Sequence, residues 1–282
     1  MAILQNKIDF SVIITAKNAN PNGDPLNGNR PRENYDGYGE MSDVCIKRKI
    51  RNRLQDMGEK IFVQSNDRCD DGFKSLKDRA KGCKTLAELD KQKNTDSDKY
   101  AAAACAEWID VRSFGQVFAF SGNSLSVGVR GPVTIQQAVS VTPIDITTMQ
   151  ITKSVRGASD SDRDTMGSKH RVDFGVYVFH GSINCQLAKK TNFSEEDAEK
   201  IKSALETLFE NDCSAARPEG SMEVKRVYWY KHDCKTPKTS SAKIHRLLSV
   251  TLKDGIDRPR CFEDYNINLE KLDGIEPEIF EG

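Results

Sequence analysis

Three observations predict an α+β fold for this chain. Runs with a two-residue hydrophobic period occur near its start (Ile8 to Ile14) and past its middle (Val172 to Val178), and a further strand runs from Met222 to Tyr230. Two segments, one behind Ser42 and one behind Ser194, carry an N-cap and a one-sided apolar stripe at helical spacing. A polar, lysine-rich stretch over 64–109 separates the first helix from the extended segments that follow. At 282 residues the chain can bury a large core as one domain with sizeable insertions.

In the first strand, Ile8, Phe10, Val12 and Ile14 alternate with Asp9, Ser11 and Thr15, the pattern of a half-buried strand. Asn20-Pro21-Asn22-Gly23-Asp24-Pro25 ends it, because glycine tolerates positive φ and each proline fixes its own. Asp24 reads as a turn former rather than a metal ligand. The polar run from Asn27 to Asp36 makes the connection long, a property of functional or mobile connections. Ser42 then caps a helix, Asp43 suits its dipole, and Gly58 stops it. Ile46, Ile50, Leu54 and Met57 form its apolar stripe. Lys47 and Arg51 lie along one flank, Lys49 and Arg53 along the other, and Arg48 opposite the stripe. Five of the seven positions from Lys47 to Arg53 are basic and none is acidic. A solvated surface helix would mix signs to gain i,i+4 pairs. Like charges this close repel, which predicts an external polyanion that compensates them.

Ile61-Phe62-Val63 reads as a short strand. Residues 64–109 read as an inserted helical subdomain that ends in a helix from Tyr100 to Trp108. Asp110 to Phe118 leaves that helix and becomes extended around Gly115, and Gly131 to Gln136 starts a strand. Ile144, Ile146, Met149 and Ile151 lie in a β-rich run ending near Val155. Val172, Phe174, Val176 and Val178 form its return, so 141–171 reads as a protruding β-hairpin. Its tip, Gly157 to Gly167, is polar apart from Met166. Lys153, Arg156, Lys169, His170 and Arg171 lie at its base. Asp160, Asp162 and Asp164 look like the opening of a calcium loop, but Thr165 and Arg171 replace the glycine and glutamate such a loop needs, and the site is rejected. Ser194 caps a helix with Ala198, Ile201, Leu205 and Leu208 on one face. Met222 to Tyr230 is a strand, and Ile244 to Leu252 another. Without insertions the order is βαββαβ, the ferredoxin-like arrangement that RNA-recognition (RRM-like) modules also use. The aromatic signature of those modules is absent, so base stacking on the sheet is not implied.

Lysine plus arginine and aspartate plus glutamate both number 42, so net charge points to no partner. The distribution is uneven: the helix behind Ser42 is basic, while the tail from Asp254 holds nine acidic residues against Arg258, Arg260 and Lys271. The eight cysteines are scattered without metal-ligand spacing, which fits reduced cytoplasmic thiols. No apolar run approaches the roughly 20 residues needed to span a bilayer, and the N-terminus lacks the features of a signal peptide. Phosphate-loop, zinc-protease, serine-hydrolase and dinucleotide motifs are absent. No metal or cofactor is expected. His170, among basic residues, is the one histidine placed to act as a general acid/base on RNA; a phosphate or packing contact is the blander role.

Asn20 to Pro25, Gly28-Asn-Arg-Pro-Arg32, Ser42 to Asn52 and Thr165-Met-Gly-Ser-Lys-His170 resemble the seventh CRISPR-associated protein family. Within it they are most similar to backbone subunits of type I-C Cascade surveillance complexes. The resemblance continues through Glu219 to His232 and Ser241 to Leu248. It implies a ferredoxin-like palm (1–63, 110–140 and 172–282), a helical insertion (64–109) and a hairpin thumb (141–171). It also implies head-to-tail assembly of copies along a guide RNA (crRNA), which presents the guide for pairing with a target DNA strand. Ser42, Lys47, Arg48 and Arg51 would hold guide phosphates, with Asn20 and Asn22 on a ledge beside them. Met166, with Thr165 beside it, would be a wedge between bases, and Lys153, Arg156, Lys169, His170 and Arg171 would line the RNA path. Partners would be a repeat-end-binding subunit, a large and a small subunit, and a downstream helicase-nuclease, with no catalysis by this chain. Two other readings stay open: a metal-independent CRISPR RNA-processing endonuclease using His170, and a stand-alone single-strand RNA-binding module.

Overall fold

A computed structural model describes residues 2–91, 96–120, 126–152 and 166–282. The chain opens with β1 (Ile8–Ala19), followed by a ribbon of two-residue strands, β2 (Gly23–Asp24) and β3 (Arg30–Pro31), and then β4 (Tyr38–Met41) and α1 (Asp43–Asp56). Short helices follow: α2 (Leu76–Gly82), α3 (Lys84–Asp90), α4 (Ser97–Glu107) and α5 (Ile109–Phe114). Next come β5 (Gln116–Ala119), β6 (Ser126–Val129), β7 (Val133–Ile135), β8 (Ala138–Pro143), β9 (Ile146–Thr152) and the long β10 (Met166–Ile183). The chain closes with α6 (Cys185–Thr191), α7 (Glu195–Glu206), β11 (Met222–Lys231), α8 (Ser241–Arg246), β12 (Leu248–Leu252), β13 (Tyr265–Leu269) and β14 (Glu278–Glu281).

The main sheet is antiparallel, in the order β14-β11-β1-β10-β8-β4, with β7 and β9 also paired to β10. One face carries α1 and α7: Ile46, Ile50 and Leu54 of α1 and Ile201 and Leu205 of α7 bury against Phe10, Val12, Phe179 and Trp229. Each such side chain contributes about 1.5–3 kcal/mol on leaving water. The other face, with Ile13, Val176, Tyr228 and Tyr230, is covered by Ile244 and Leu247 of the α8 segment, Leu248 of β12 and Tyr265 of β13. The half-buried reading of β1 is therefore corrected, since Asp9 and Ser11 are as inaccessible as Phe10. Alternation reports which residues share a face, and it is silent on whether the polar face stays wet.

The polar residues of β1 are buried because a network receives them. His232 Nε2 lies 2.8 Å from Asp9 Oδ2, and Lys7 Nζ lies 3.2 Å from the same oxygen. His180 stacks on His245 with ring centroids 4.7 Å apart, and its Nδ1 lies 2.7 Å from Ser11 Oγ. Burial works against ionising Asp9, but the bonds from His232 and Ser241 and the charge of Lys7 outweigh it and hold the carboxyl below its usual range. Burial, then the neighbouring His245, pushes His180 down to about 4. His180, His232 and His245 thus serve the core, as hydrogen-bonding histidines should.

Four further expectations are corrected. Ile61 to Val63 is a bend, not a strand. The segment after Trp108 first forms α5, and only beyond Gly115 (φ 81°) does it extend, into β5. Ile244 begins inside α8, so that strand starts at Leu248. Met57 is 38% exposed at the end of α1, so the stripe stops at Leu54. The sequence reading also missed α6, a two-turn segment capped by Asn184, whose side chain accepts from Gln186 N and Leu187 N. A further apolar cluster joins Phe62 to Leu86, Tyr100, Ala104 and Trp108 and continues into Val111, Phe118 and Val127.

Candidate nucleic-acid interface

The turn after β1 is tied to the start of α1. Asn22 Oδ1 accepts from Ser42 N at 2.9 Å and from Ser42 Oγ at 3.1 Å, while Ser42 Oγ caps the helix by accepting from Cys45 N at 3.2 Å. A cap of this kind contributes about 1 kcal/mol. Asn20 is buried, donates from Nδ2 to Asn29 O at 2.6 Å, and donates from its backbone N to Ala216 O at 2.8 Å. Asn20 therefore shapes the ledge from beneath rather than presenting a side chain on it.

The basic helix departs furthest from its reading. Lys49 is buried and ion-paired with Asp212, which also accepts from Arg217 Nε at 3.1 Å. Arg53 donates to Thr207 Oγ1 at 2.7 Å and Glu210 Oε2 at 2.8 Å. Arg51 Nε donates to Asp110 Oδ2 at 2.9 Å, and its guanidinium lies 5.0 Å from the Phe114 ring centre. The fully buried Asp110 also accepts from Phe62 N at 2.7 Å and Val63 N at 3.1 Å, which is why that segment bends. Lys47 pairs with Asp43 at 2.9 Å, and Arg48 donates to Val63 O at 3.0 Å. Burial, then Arg51, lowers the pKa of Arg48. The premise that an external anion must compensate these charges is overturned: carboxylates from distant parts of the chain neutralise most of them. Lys47 and Arg48 are intermediate in exposure, as are Arg51 and Arg53, but bond no carboxylate from a distant part of the chain among the described residues.

The second set of candidate residues lies on the hairpin. β9 pairs with β10 in the register Ile146↔Val172 through Thr152↔Met166, with Thr148 opposite His170 and Met149 opposite Lys169. His170 Nδ1 lies 2.9 Å from Thr148 Oγ1, to which Arg30 Nη1 of β3 also donates at 3.2 Å. This chain joins the ledge to the hairpin, and a cleft of about 340 Å³ opens there, lined by Asn20, Asn29, Ile151, Lys169, His170 and Ala216. Lys169 is exposed and makes no ion pair among the described residues. Arg171 lies 3.5 Å from Asp173. Met166 opens β10 at 64% exposure, with Gln150 Nε2 3.0 Å from its sulfur. Lys153, Arg156 and Thr165, and with them Asp160, Asp162 and Asp164, lie outside the described residues.

The structure thus brings Asn20, Lys169 and His170 to one cleft, and Asn22 and Ser42 to one cap. It places Lys47, Arg48 and Arg51 further along α1, where Arg48 and Arg51 bond Val63 and Asp110, the residues on either side of 64–109. Arg30 and Thr148 were missed, although the Gly28-Asn-Arg-Pro-Arg32 run flagged the first as part of an unusual turn.

The sequence profile of the family described as CRISPR-associated protein Cas7 matches residues 6–270. The chain belongs to that family. A relative from Haloferax volcanii, described as CRISPR-associated protein Cas7, is 26% identical over 233 residues, covering 74% of this chain and 66% of the relative. The chain therefore spans just under two thirds of that relative's length. A chain of a structure titled CRISPR RNA-guided surveillance complex, pre-nicking, shares the fold, with a TM-score of 0.51 and 14% identity over 89% of this chain and 84% of that one. A second such chain, at a TM-score of 0.47 and 15% identity over 83% of this chain and 72% of that one, overlaps too loosely to define shared geometry.

Proposed function

We propose that this chain is a non-catalytic guide-RNA-binding backbone subunit of a CRISPR surveillance complex of type I-C. The observation that carries the proposal is the family match across residues 6–270. The topology supports a ferredoxin-like palm: β11-β1-β10-β8 is the spatial order of the fourth, first, third and second strands of a βαββαβ chain, with α1 and α7 as its helices. The hairpin over 141–171 is the thumb, and 64–109 the helical insertion. The main sheet has both faces covered, so RNA is held by the ledge, the hairpin and the exposed side of α1 rather than by the sheet.

Phosphates carry no sequence, so Ser42, Lys47, Arg48, Lys169 and Arg171 can hold any guide, with Arg51 behind them committed to Asp110, and base pairing does the reading. Asn20 and Asn22 shape the ledge. Met166 parts neighbouring bases, a step that costs a few kcal/mol and is repaid by protein contacts. A heterologous, non-closing contact between copies gives a helical filament. The filament pairs the guide with a target DNA strand in the cytoplasm, alongside end-capping, large and small subunits and a separate helicase-nuclease. The experiment is sedimentation of the protein with guide-length RNA: a multi-copy particle is expected, and a one-to-one complex would reduce the reading to a single-strand RNA-binding module. Labelled repeat RNA should stay intact in the same mixture. Cleavage that His170→Ala abolishes would make the protein a processing endonuclease instead.

A further inference from the structure

A second cleft, of about 320 Å³, lies further along β10 and is lined by Lys17, Asp145, Asp173, Phe174, Arg258 and Arg260. Lys17 and Phe174 are partners across the β1–β10 ladder. Asp173 N donates to Asp145 O at 3.0 Å, which closes the β8–β9 junction onto β10. Arg258 and Arg260 reach in from the segment between β12 and β13, within the acidic tail.

The cations here differ from those of α1. The side chains of Lys17 and Arg260 are exposed and make no hydrogen bond or ion pair among the described residues. The carboxylate beside Arg258 is Asp145 at 3.8 Å, with the two side chains 77% and 64% exposed. Asp173 is already occupied, since Thr147 Oγ1 donates to both its oxygens at 2.8 and 2.9 Å. Phe174 is half-buried: it packs against the apolar cluster around Tyr265 and also forms part of the cleft wall. Cations without close counter-ions suit phosphate oxygens, an aromatic ring suits a base, and the free oxygens of Asp145 suit a base amino group or a ribose hydroxyl. A simple inorganic anion would use only the first of these and would be repelled by the carboxylates.

We infer that this cleft holds one unpaired nucleotide of a single-stranded RNA, with its base against Phe174 and its phosphate between Lys17, Arg258 and Arg260. The inference rests on the RNA-binding function proposed above and adds a place for the strand beyond the hairpin cleft. Lys169 and His170 of the hairpin cleft precede Asp173 and Phe174 by four residues on β10, about 13 Å. Asn20, just past the end of β1, follows Lys17 by three residues, about 10 Å along the chain. The two strands are antiparallel, so both offsets run the same way, and one RNA strand can pass from one cleft to the other.

The test uses the full chain and a labelled single-stranded RNA carrying a fluorescent adenine analogue, titrated at several salt concentrations. The double reversal Arg258→Glu/Arg260→Glu is expected to weaken binding at least tenfold and to lower the salt slope by about 0.7, for the one phosphate the cleft neutralises. Phe174→Leu keeps the apolar packing, and is expected to weaken binding about fivefold and to relieve quenching of the analogue, because stacking is lost. Near-ultraviolet circular dichroism checks that both variants stay folded. Wild-type affinity and slope in both variants, with the wild type binding RNA, would overturn this inference alone. Failure of the wild-type protein to bind RNA would overturn it together with the proposed function. Unchanged RNA binding with loss of contact between copies would make the cleft a protein-docking surface and equally sink the inference.

Discussion

The basic helix α1 and the root of the β9–β10 hairpin carry similar charges and use them differently. On α1, Lys49, Arg51 and Arg53 are spent on Asp212, Asp110, Thr207 and Glu210, which lie 59 to 163 residues away in sequence. At the hairpin root, Lys169, Lys17 and Arg260 are exposed without counter-ions among the described residues. A dense run of like charge in sequence therefore marks a helix that staples distant segments as readily as one that binds an external anion. Only cations that stay unpaired after folding have their charge fully available to a ligand. On α1 even Lys47 and Arg48 are engaged, with Asp43 one turn earlier and with the Val63 carbonyl, so the helix keeps less of its charge for a ligand than its sequence suggests.

The largest effect expected from breaking this comparison is at Asp110. Asp110→Ala would strip two backbone donors and Arg51 of their buried acceptor, and is expected to cost about 3–5 kcal/mol, read as a fall in the denaturant midpoint at unchanged slope. An unshifted midpoint would mean that Arg51 is not committed to the fold and is free for phosphate. Next, Lys169→Glu is expected to weaken single-stranded RNA binding about tenfold with little change in the melting midpoint, whereas Arg53→Glu should do the reverse. If Arg53→Glu lowers affinity without lowering stability, the division between the two regions fails.

A third expectation concerns the histidines beneath the sheet. The folded pKa of His180 is lowered from 6.5 to about 4, so the unfolded chain takes up its proton first. The stability this group contributes is complete above pH 6.5 and is lost as pH falls from there toward 4. His245 is lowered by the same cause, burial, and adds to the loss in the same direction. Denaturant unfolding at neutral and mildly acid pH should show a fall in stability that His180→Gln reduces; an unaltered pH dependence would remove His180 from the account. The smallest effect is expected for Lys47→Ala, where the partly exposed i,i+4 pair with Asp43 is worth about 0.3–0.5 kcal/mol in thermal unfolding.

Much of the fold is legible locally. Ser42 and Ser194 cap their helices as their side chains predict, and the alternation of β1, β10 and β11 puts one apolar face of each against α1 and α7. What failed did so for identifiable reasons. Ile61 to Val63 has strand composition, but two of its amides go to the Asp110 carboxylate instead of a ladder. α6 carries a helical cap at Asn184, yet its seven residues are too few for a period to be visible. At the candidate interface, the turn from Asn20 to Pro25 and the pairing of Lys169 with His170 could be read from the sequence. Lys17 and Arg258 could not, since they are separated by most of the chain and gain significance only through a shared cleft.

The sequence by itself determined strand and helix periods, the two capped helices α1 and α7 and the turn after β1, because caps, turns and hydrophobic periods act over a few residues. The tertiary structure alone decided which cations stay free, which polar residues of β1 are buried, and where the clefts open. Those properties depend on partners brought together from distant parts of the chain, and a carboxylate at Asp110 or Asp212 can neutralise α1 only once the fold has placed it there.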